Sequence, residues 1–292
     1  MGPLQVDAVG PVRVDIPIEL TDGRKLAYLE VGAVEGYPVL SNHGGLSCRL
    51  DVIPSGAYAL GHGLRIISPD RPGIGQSDRK DGRTMQDWAD DVRELVDQLG
   101  IDQFAVMGWS LGGCFAQSVA RYLADRVSAL VLIASGIPRD WNGMREHIDR
   151  MDRIFMKMSE SAVGQVAERS IFHLMGTMAH LMPKAFARSA GFNGISASLL
   201  STAIAEGLSD TKGVVADYQI LNIPWGFDPS QIAVPTQIWQ GDADELVPPD
   251  WAPRLHEAIP DSTFTLVPDA THFLWYDHWD EILGQIADTV HQ

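Results

Sequence analysis

The sequence predicts an α/β protein with a mostly parallel central sheet, helices on both faces of that sheet and an inserted group of helices. Three features of the chain lead to this prediction. Short strand-like segments alternate with helix-like segments from Val12 to Ala134. The alternation stops after Pro138 and resumes at Thr236. Strands that alternate with helices are joined by crossovers, which give a parallel sheet covered on both sides.

The predicted strands are short runs rich in apolar residues. Phe104–Met107 and Ala129–Ala134 are apolar at every position, which is typical of strands buried on both faces. The full set of predicted strands is Val12–Ile18, Leu26–Val31, Pro38–Ser41, Leu64–Ser68, Phe104–Met107, Ala129–Ala134, Thr236–Gln240 and Phe264–Val267.

The helices of the core are predicted from apolar residues that recur at every third or fourth position. The clearest is Thr84–Leu99, where Trp88, Val92 and Leu95 recur at this spacing and Gly100 ends the segment. The other predicted helices are Asp51–Leu60, a stretch after Ser110 containing Phe115 and Val119, a helix starting near Trp251, and Phe273–Val290.

The segment 138–235 contains amphipathic helices and no convincing strand. The sequence therefore predicts a core made of residues 1–137 and 236–292, interrupted by a helical insertion with a return linker. Seven of the ten methionines lie between Met144 and Met182. Methionine fills irregular shapes, so these side chains either line a pocket or pack the helices together.

The motif Gly-x-Ser-x-Gly at Gly108–Gly112 is the strongest candidate for chemistry. It directly follows the predicted strand Phe104–Met107 and precedes a helix-like stretch. A serine on such a sharp turn exposes its hydroxyl at the sheet edge, and the N–H groups of the helix N-terminus face a developing negative charge. The flanking glycines let the backbone turn without a side-chain clash. These features predict that Ser110 is a nucleophile.

A serine hydroxyl is a weak nucleophile, and it needs a base that is usually a histidine oriented by a carboxylate. Asp244 follows the predicted strand Thr236–Gln240, and His272 follows Phe264–Val267. The carboxyl ends of parallel strands share one edge of a sheet, so both residues are expected to meet Ser110 there. The chain order Ser-Asp-His also fits a nucleophile on a strand-to-helix turn.

Three neighbouring residues compete for these roles. Asp242 and Glu245 lie beside Asp244, although Asp242 equally fits a residue that fixes the turn by side-chain-to-backbone hydrogen bonds. His278 competes with His272, but it falls inside the predicted last helix.

An oxyanion is stabilised by two converging backbone N–H groups. Leu111, the residue after Ser110, supplies one of them. The loop Asn42–Leu46 after the third predicted strand supplies the other, and Gly45 is best placed because glycine lets the main chain approach a ligand closely.

Three further residues near this loop are candidates for lining a substrate pocket: His43, Gly44 and Trp109. His43 has an alternative role, because its side chain can support the oxyanion loop through hydrogen bonds. Trp109 equally fits an aromatic side chain packed beside the sheet.

In chain order these motifs resemble the α/β-hydrolase fold family, which contains esterases, epoxide hydrolases, dehalogenases and related enzymes. The matching segments are the oxyanion loop His43-Gly44-Gly45, the turn Asp70–Ser77, the motif Gly108–Gly112, the acid loop Gly241–Asp244 and the histidine loop Thr271–Phe273. The resemblance implies that Asp244 is the acid. It also implies that Met144–Gly213 corresponds to the family's variable cap. Leu46-Ser47-Cys48 departs from the Pro-Gly-Ser that often follows the oxyanion loop.

The predicted function is a serine hydrolase that cleaves a small, largely apolar carboxylic ester through an acyl-enzyme, with no cofactor. Epoxide hydrolases and dehalogenases of this fold use an aspartate nucleophile, so Ser110 argues against both. Lactone, amide, thioester or carbon–carbon bond hydrolysis and peroxy-acid formation use the same three residues and remain alternatives. A non-catalytic binding protein and a cofactor-independent oxygenase are the alternatives from other classes.

The composition limits the partners. The net charge of −16 disfavours nucleic acid and anionic membrane surfaces, because both are bound by basic patches. Cys48 and Cys114 form neither a disulfide framework nor a zinc site, and the nine histidines show no metal-ligand spacing. The chain opens without a signal-like segment, which makes the cytoplasm the expected location.

Overall fold

The computed structural model describes residues 12–189 and 195–291, and eight strands within these ranges form one sheet. The strands are β1 (Val12–Glu19), β2 (Lys25–Gly32), β3 (Tyr37–Asn42), β4 (Leu64–Pro69), β5 (Phe104–Trp109), β6 (Val127–Ile133), β7 (Thr236–Gly241) and β8 (Ser262–Val267). Every predicted strand is present, with small differences at its ends. The predicted core also includes residues 1–11, which lie outside the described ranges.

The strand order is β1-β2-β4-β3-β5-β6-β7-β8. β2 runs antiparallel to β1 and β4, and all other neighbouring strands are parallel, so the prediction of a mostly parallel sheet is confirmed. The chain leaves β3 towards β4 on one side and leaves β5 towards β6 on the other. The loops after β3 and β5 therefore diverge and leave a crevice at the carboxyl edge of the sheet. Gly45 and Ser110 belong to these two loops.

The helices are named in chain order. They are α1 (Gly56–Gly61), α2 (Met85–Gln98), α3 (Leu111–Tyr122), α4 (Met144–His147), α5 (Arg150–Ser159), α6 (Ala162–Leu181), α7 (Pro183–Ser189), α8 (Ile195–Gly207), α9 (Thr211–Leu221), α10 (Trp251–Ala258) and α11 (Trp279–Val290). The predicted helix Thr84–Leu99 is α2 with its caps. Its N-terminus is closed by a reciprocal pair of hydrogen bonds between Thr84 and Asp87.

Helices cover both faces of the sheet, as predicted. The alternation of side chains along β6 separates the two faces, since Leu130 and Leu132 belong to one buried cluster and Val131 to the other. α2, α3 and α10 pack on the first face, whereas α1 and α11 pack on the second. The sheet is therefore buried on both sides, which explains the uninterrupted apolar runs of β5 and β6.

The predicted helix Asp51–Leu60 is wrong as a single element. The structure instead has a 3-10 helix at Arg49–Ser55, followed by the short helix α1. Pro54 lies inside this 3-10 helix. Proline has no N–H to donate and its ring crowds the preceding turn, so a continuous α-helix does not form across it.

The predicted last helix, Phe273–Val290, begins too early. A 3-10 turn occupies Leu274–Tyr276, and α11 starts only at Trp279. Trp275 is fully buried against Trp109 and Trp279, and this aromatic packing fixes the separate turn. His278 consequently precedes α11 instead of lying inside it.

Between β6 and β7 the described residues form the helices α4–α9 and no strand, in line with the helical insertion of the sequence analysis. The limits 138 and 235 of a separate unit stay a prediction. α9 rests directly on the core, because a Cβ added at Gly213 would lie only 2.0 Å from the carbonyl oxygen of Gly73. This backbone-to-backbone approach requires glycine at position 213.

Candidate active site

Ser110 occupies the turn between β5 and α3 in a conformation that non-glycine residues rarely adopt, with φ of 54° and ψ of −128°. Its N–H donates to the carbonyl oxygen of Ile133 over 2.8 Å, which helps to hold this conformation. Gly112 is required for a different reason, because a Cβ at this position would lie 2.1 Å from the carbonyl oxygen of Asn42. The serine thus carries the strained dihedral angle, and glycine permits the close contact with β3.

His272 and Asp244 form a buried hydrogen-bonded pair. The distance between His272 Nδ1 and Asp244 Oδ2 is 2.9 Å. Asp244 Oδ1 accepts from the N–H groups of Leu246 and Val247 at 2.8 and 2.9 Å, and Gln240 Nε2 donates to Oδ2. Burial opposes ionisation of Asp244, but its hydrogen bond with His272, together with the backbone donors, lowers its pKa below the ordinary value. Asp244 is therefore a carboxylate that orients the imidazole through Nδ1.

One cavity of about 210 Å³ unites the predicted site residues. Ser110, His272, Gly45 and Leu111 all line it, and Asp244 is reached through His272. The cavity lies at the carboxyl edge of the sheet, between the core and the inserted helices. The structure thus places around one cavity the five residues predicted as nucleophile, base, acid and oxyanion donors, with the acid held against the base.

The competing residues lie elsewhere. Asp242 Oδ1 accepts from the N–H of Asp269 over 2.7 Å, which fixes the loop, and Glu245 is exposed. His278 is paired with Glu281 at 3.4 Å and is absent from the cavity lining. Their positions leave Asp244 and His272 as the better candidates.

His43 supports the oxyanion loop from the side that faces away from the cavity. This side chain is fully buried, and its Nε2 accepts from the N–H of Arg71 over 3.2 Å. Nδ1 must then carry the proton, and it donates to the carbonyl oxygen of Gly44 over 3.0 Å. Burial, aided by Arg71, holds the pKa of His43 well below its ordinary value, so the imidazole is neutral.

Of the three predicted pocket residues, only Trp109 lines the cavity. His43 and Gly44 do not, because His43 points beneath the loop and Gly44 packs against the Trp109 ring, where a Cβ would lie 2.3 Å from a ring carbon. That these two contact substrate stays a prediction, which the cavity lining does not support. Trp109 also packs against His272 and Trp275, and its contact with substrate stays a prediction.

The sequence profile described as the alpha/beta hydrolase fold matches residues 37–278. The chain belongs to the alpha/beta hydrolase fold family. It is 28% identical over 233 residues to a pimeloyl-(acyl-carrier protein) methyl ester esterase from Shewanella woodyi, covering 77% of this chain and 83% of that protein. A thermophilic esterase from Thermogutta terrifontis superposes with a TM-score of 0.67 at 23% identity, covering 96% of this chain and 98% of the other.

Another relative of this alpha/beta hydrolase matches over a shorter region. It is a non-heme chloroperoxidase from Streptomyces lividans, 33% identical over 126 residues, which are 41% of this chain and 45% of the relative. The matched region therefore spans less than half the length of the chloroperoxidase.

Within residues 12–189 and 195–291, no helix is both long and apolar enough to cross a bilayer. Within the same ranges, no three His, Cys, Asp or Glu side chains are grouped so as to hold a metal ion.

Asp51 is a site residue that the sequence analysis missed in this alpha/beta hydrolase. Its Oδ2 accepts from Trp109 Nε1 over 2.8 Å and from the N–H of Gly44 over 3.2 Å. Complete burial raises its pKa to about 7, against the lowering effect of these hydrogen bonds. Asp51 thereby connects the oxyanion loop to the aromatic wall of the cavity. No motif in the sequence identifies Asp51, because Trp109 and Gly44 come into contact with it only when the chain is folded.

A second missed feature is a buried ionic cluster of Arg71, Arg83 and Asp217. Arg71 donates to the carbonyl oxygens of His43 and Gly44 and, over 2.9 Å, to Asp217 Oδ2 on α9. Arg83 donates to Asp217 Oδ1. Burial alone would raise the pKa of Asp217, but the two guanidinium groups bring it below its ordinary value. This cluster joins an inserted helix to the oxyanion loop.

Replacing Asp217 with asparagine is expected to destabilise the protein by on the order of 3 kcal/mol, because two buried guanidinium groups lose their counter-charge. We also expect a lower kcat with little change in the cavity lining, since Arg71 no longer holds the oxyanion loop as firmly. Urea unfolding and ester-hydrolysis rates measure the two effects.

The matched control for this change is Asp90→Asn, which removes a surface carboxylate paired with Arg93. Exposed pairs contribute little, so its unfolding free energy should stay within about 0.5 kcal/mol of the wild type. Equal stability losses in the two variants would contradict the structural importance of the Arg71–Asp217 contact.

Proposed function

We propose that this alpha/beta hydrolase is a serine carboxylic-ester hydrolase acting on small, largely apolar esters. The observation that carries the proposal is the His272–Asp244 hydrogen bond of 2.9 Å at the wall of a cavity that Ser110 also lines. A carboxylate-oriented imidazole beside a strained serine is the arrangement that nucleophilic acyl transfer requires.

In the proposed reaction, Ser110 Oγ attacks the acyl carbon while His272 takes the hydroxyl proton. The N–H groups of Gly45 and Leu111 stabilise the resulting oxyanion, and Asp244 stabilises the imidazolium. Collapse of the tetrahedral intermediate breaks the ester C–O bond, and His272 gives its proton to the departing alkoxide. Water, deprotonated by His272, then attacks the acyl-enzyme and releases the carboxylic acid with Ser110 restored.

The cavity supports an apolar substrate. Its walls are mostly hydrophobic side chains from both the core and the inserted helices, including Leu111, Ile137, Met144, Met175 and Leu200. Methionines 144 and 175 therefore line the pocket, whereas Met156 packs inside the cap. The Shewanella woodyi esterase and the Thermogutta terrifontis esterase add support for ester chemistry on this fold.

Cleavage of lactones, thioesters, amides or carbon–carbon bonds and the formation of peroxy acids would use the same three residues. The choice among them depends on how the inserted helices place the substrate. An activity panel of short-chain and long-chain esters, a lactone, an amide, a thioester and a carbon–carbon substrate ranks these activities by kcat/KM. We expect the esters to rank first.

The decisive experiment is labelling with a fluorophosphonate probe, which forms a covalent bond to an activated serine. We expect one probe per chain, mapped by peptide mass spectrometry to Ser110. A matched control is Ser47→Ala, because Ser47 also lines the cavity but does not lie on the β5–α3 turn. If the native protein is unlabelled, the serine-hydrolase proposal fails in favour of a ligand-binding role or cofactor-independent chemistry.

A further inference from the structure

Among the described residues of the insertion, one polar pair lines the cavity. Asp152 on α5 and Tyr218 on α9 both line it, and the Tyr218 hydroxyl donates to Asp152 Oδ1 over 2.6 Å. The other side chains of the insertion that line the cavity, among its described residues, are apolar: Met144, Ile148, Met175, Phe186, Leu200, Ile204 and Leu221. An acid in such a wall needs a physical explanation, because placing a carboxylate in apolar surroundings costs free energy.

Asp152 lies in the first turn of α5, where an acid is favourable, but it does not cap the helix. Asp149, not Asp152, caps α5, since its side chain accepts from the N–H groups of Met151 and Asp152. Among the described residues, no Lys, Arg or His forms an ion pair with Asp152. Burial, reinforced by the nearby charge of Asp149, raises the pKa of Asp152, although Tyr218 and His272 oppose this effect.

The pair retains hydrogen-bonding capacity, and both of its residues line the cavity. Tyr218 occupies Oδ1, which leaves Asp152 Oδ2 able to accept another hydrogen bond. Asp152 is partly exposed, and it is one of the residues that line the cavity. His272 lines the same cavity. A ligand that fills the cavity therefore contacts both side chains.

We propose that Asp152 and Tyr218 form a polar subsite that binds a hydrogen-bond donor of the substrate, either a hydroxyl or an ammonium group. The proposal rests on the proposed ester hydrolysis, and it identifies the substrate as an ester that carries such a donor apart from the reacting group. The apolar walls bind the intervening carbon chain. A substrate with a second carboxylate is disfavoured, because Asp152 would repel it.

Three methyl esters of equal length test this subsite: methyl 6-aminohexanoate, methyl 6-hydroxyhexanoate and methyl heptanoate, which end in ammonium, hydroxyl and methyl groups at pH 7. For the wild type, kcat/KM measured by pH-stat should be higher for at least one of the two donor esters than for methyl heptanoate by about tenfold or more. A comparison of kcat/KM for the ammonium ester and the hydroxyl ester shows which donor the subsite prefers. A second pair of substrates, 4-hydroxybutyl acetate and pentyl acetate, carries the donor on the alcohol portion of the ester instead of the acyl portion.

Two variants separate binding from structure. Asp152→Asn should reduce the preference for the donor ester over methyl heptanoate by about tenfold. Tyr218→Phe should weaken the same preference to a smaller extent, since Asp152 remains. Glu146→Gln is the matched control, because it also removes a negative charge from the inserted helices but lies on an exposed position away from the cavity. Thermal melting verifies that each variant is folded.

The outcomes separate the two proposals. If the wild type hydrolyses all esters of both series without discrimination, or if Asp152→Asn slows every ester equally, the subsite is overturned and ester hydrolysis stands. If the wild type hydrolyses none of them and a fluorophosphonate leaves Ser110 unlabelled, ester hydrolysis is overturned and the subsite with it.

Discussion

Replacing Ser110 with alanine is expected to lower the hydrolysis of a short-chain p-nitrophenyl ester by roughly 10⁶-fold. The reason is that no other hydroxyl on the β5–α3 turn can form the acyl-enzyme, while the oxyanion donors and the cavity remain. Initial rates of p-nitrophenol release at saturating and limiting substrate measure kcat and kcat/KM.

This loss should occur without unfolding. The hydrogen bond from position 110 to Ile133 uses the backbone N–H, so alanine retains it. Ser110→Gly is an informative companion, because glycine adopts the positive φ of 54° without strain and should be equally inactive yet no less stable. Wild-type activity in the Ser110→Ala protein would refute the assignment of the nucleophile.

The parts of the fold that the sequence predicts are those encoded locally. The apolar runs of β5 and β6 identify buried strands without knowledge of their neighbours. The parallel topology then gathers strand ends at one edge, which is why Ser110, Asp244 and His272 meet although they are distant along the chain. The site follows from topology, since each of the three residues lies in the segment that leaves the carboxyl end of a strand.

The errors and omissions have a different origin, since they depend on packing between distant segments. Arg71 and Asp217 lie 146 residues apart, and their pairing depends on where α9 rests on the core. Asp152 and Tyr218 meet only because α5 and α9 are neighbours in the cap. Amphipathic patterns show which face of a helix is buried but not which helix it faces.

His43 illustrates the same limit at a single residue. A histidine next to two glycines in a candidate oxyanion loop is compatible with substrate contact and with loop support. Its burial and its hydrogen bonds to Arg71 and Gly44 identify the supporting role, and these are properties of the folded chain.

Replacing Asp244 with asparagine is expected to lower kcat by about 10⁴-fold, a larger effect than the loss of one negative charge suggests. The Oδ1 position accepts from the N–H groups of Leu246 and Val247, so the asparagine carbonyl must occupy it. The asparagine NH₂ group then faces His272 Nδ1. His272 must accept there, which places its proton on Nε2 and prevents it from taking the proton of Ser110.

The matched control is Asp242→Asn, which changes an acid of the same loop whose carboxylate, among the described residues, accepts only from the backbone of Asp269. Its kcat should stay close to that of the wild type, because the asparagine carbonyl can accept the same hydrogen bond. Steady-state kinetics and melting curves are measured for Asp244→Asn and Asp242→Asn and compared with those of the wild type. Similar losses of activity in the two variants would mean that the conformation of the loop after β7, and not the tautomer of His272, accounts for the loss. A large loss confined to Asp244→Asn, in a protein that melts like the wild type, would instead assign the orienting carboxylate to Asp244.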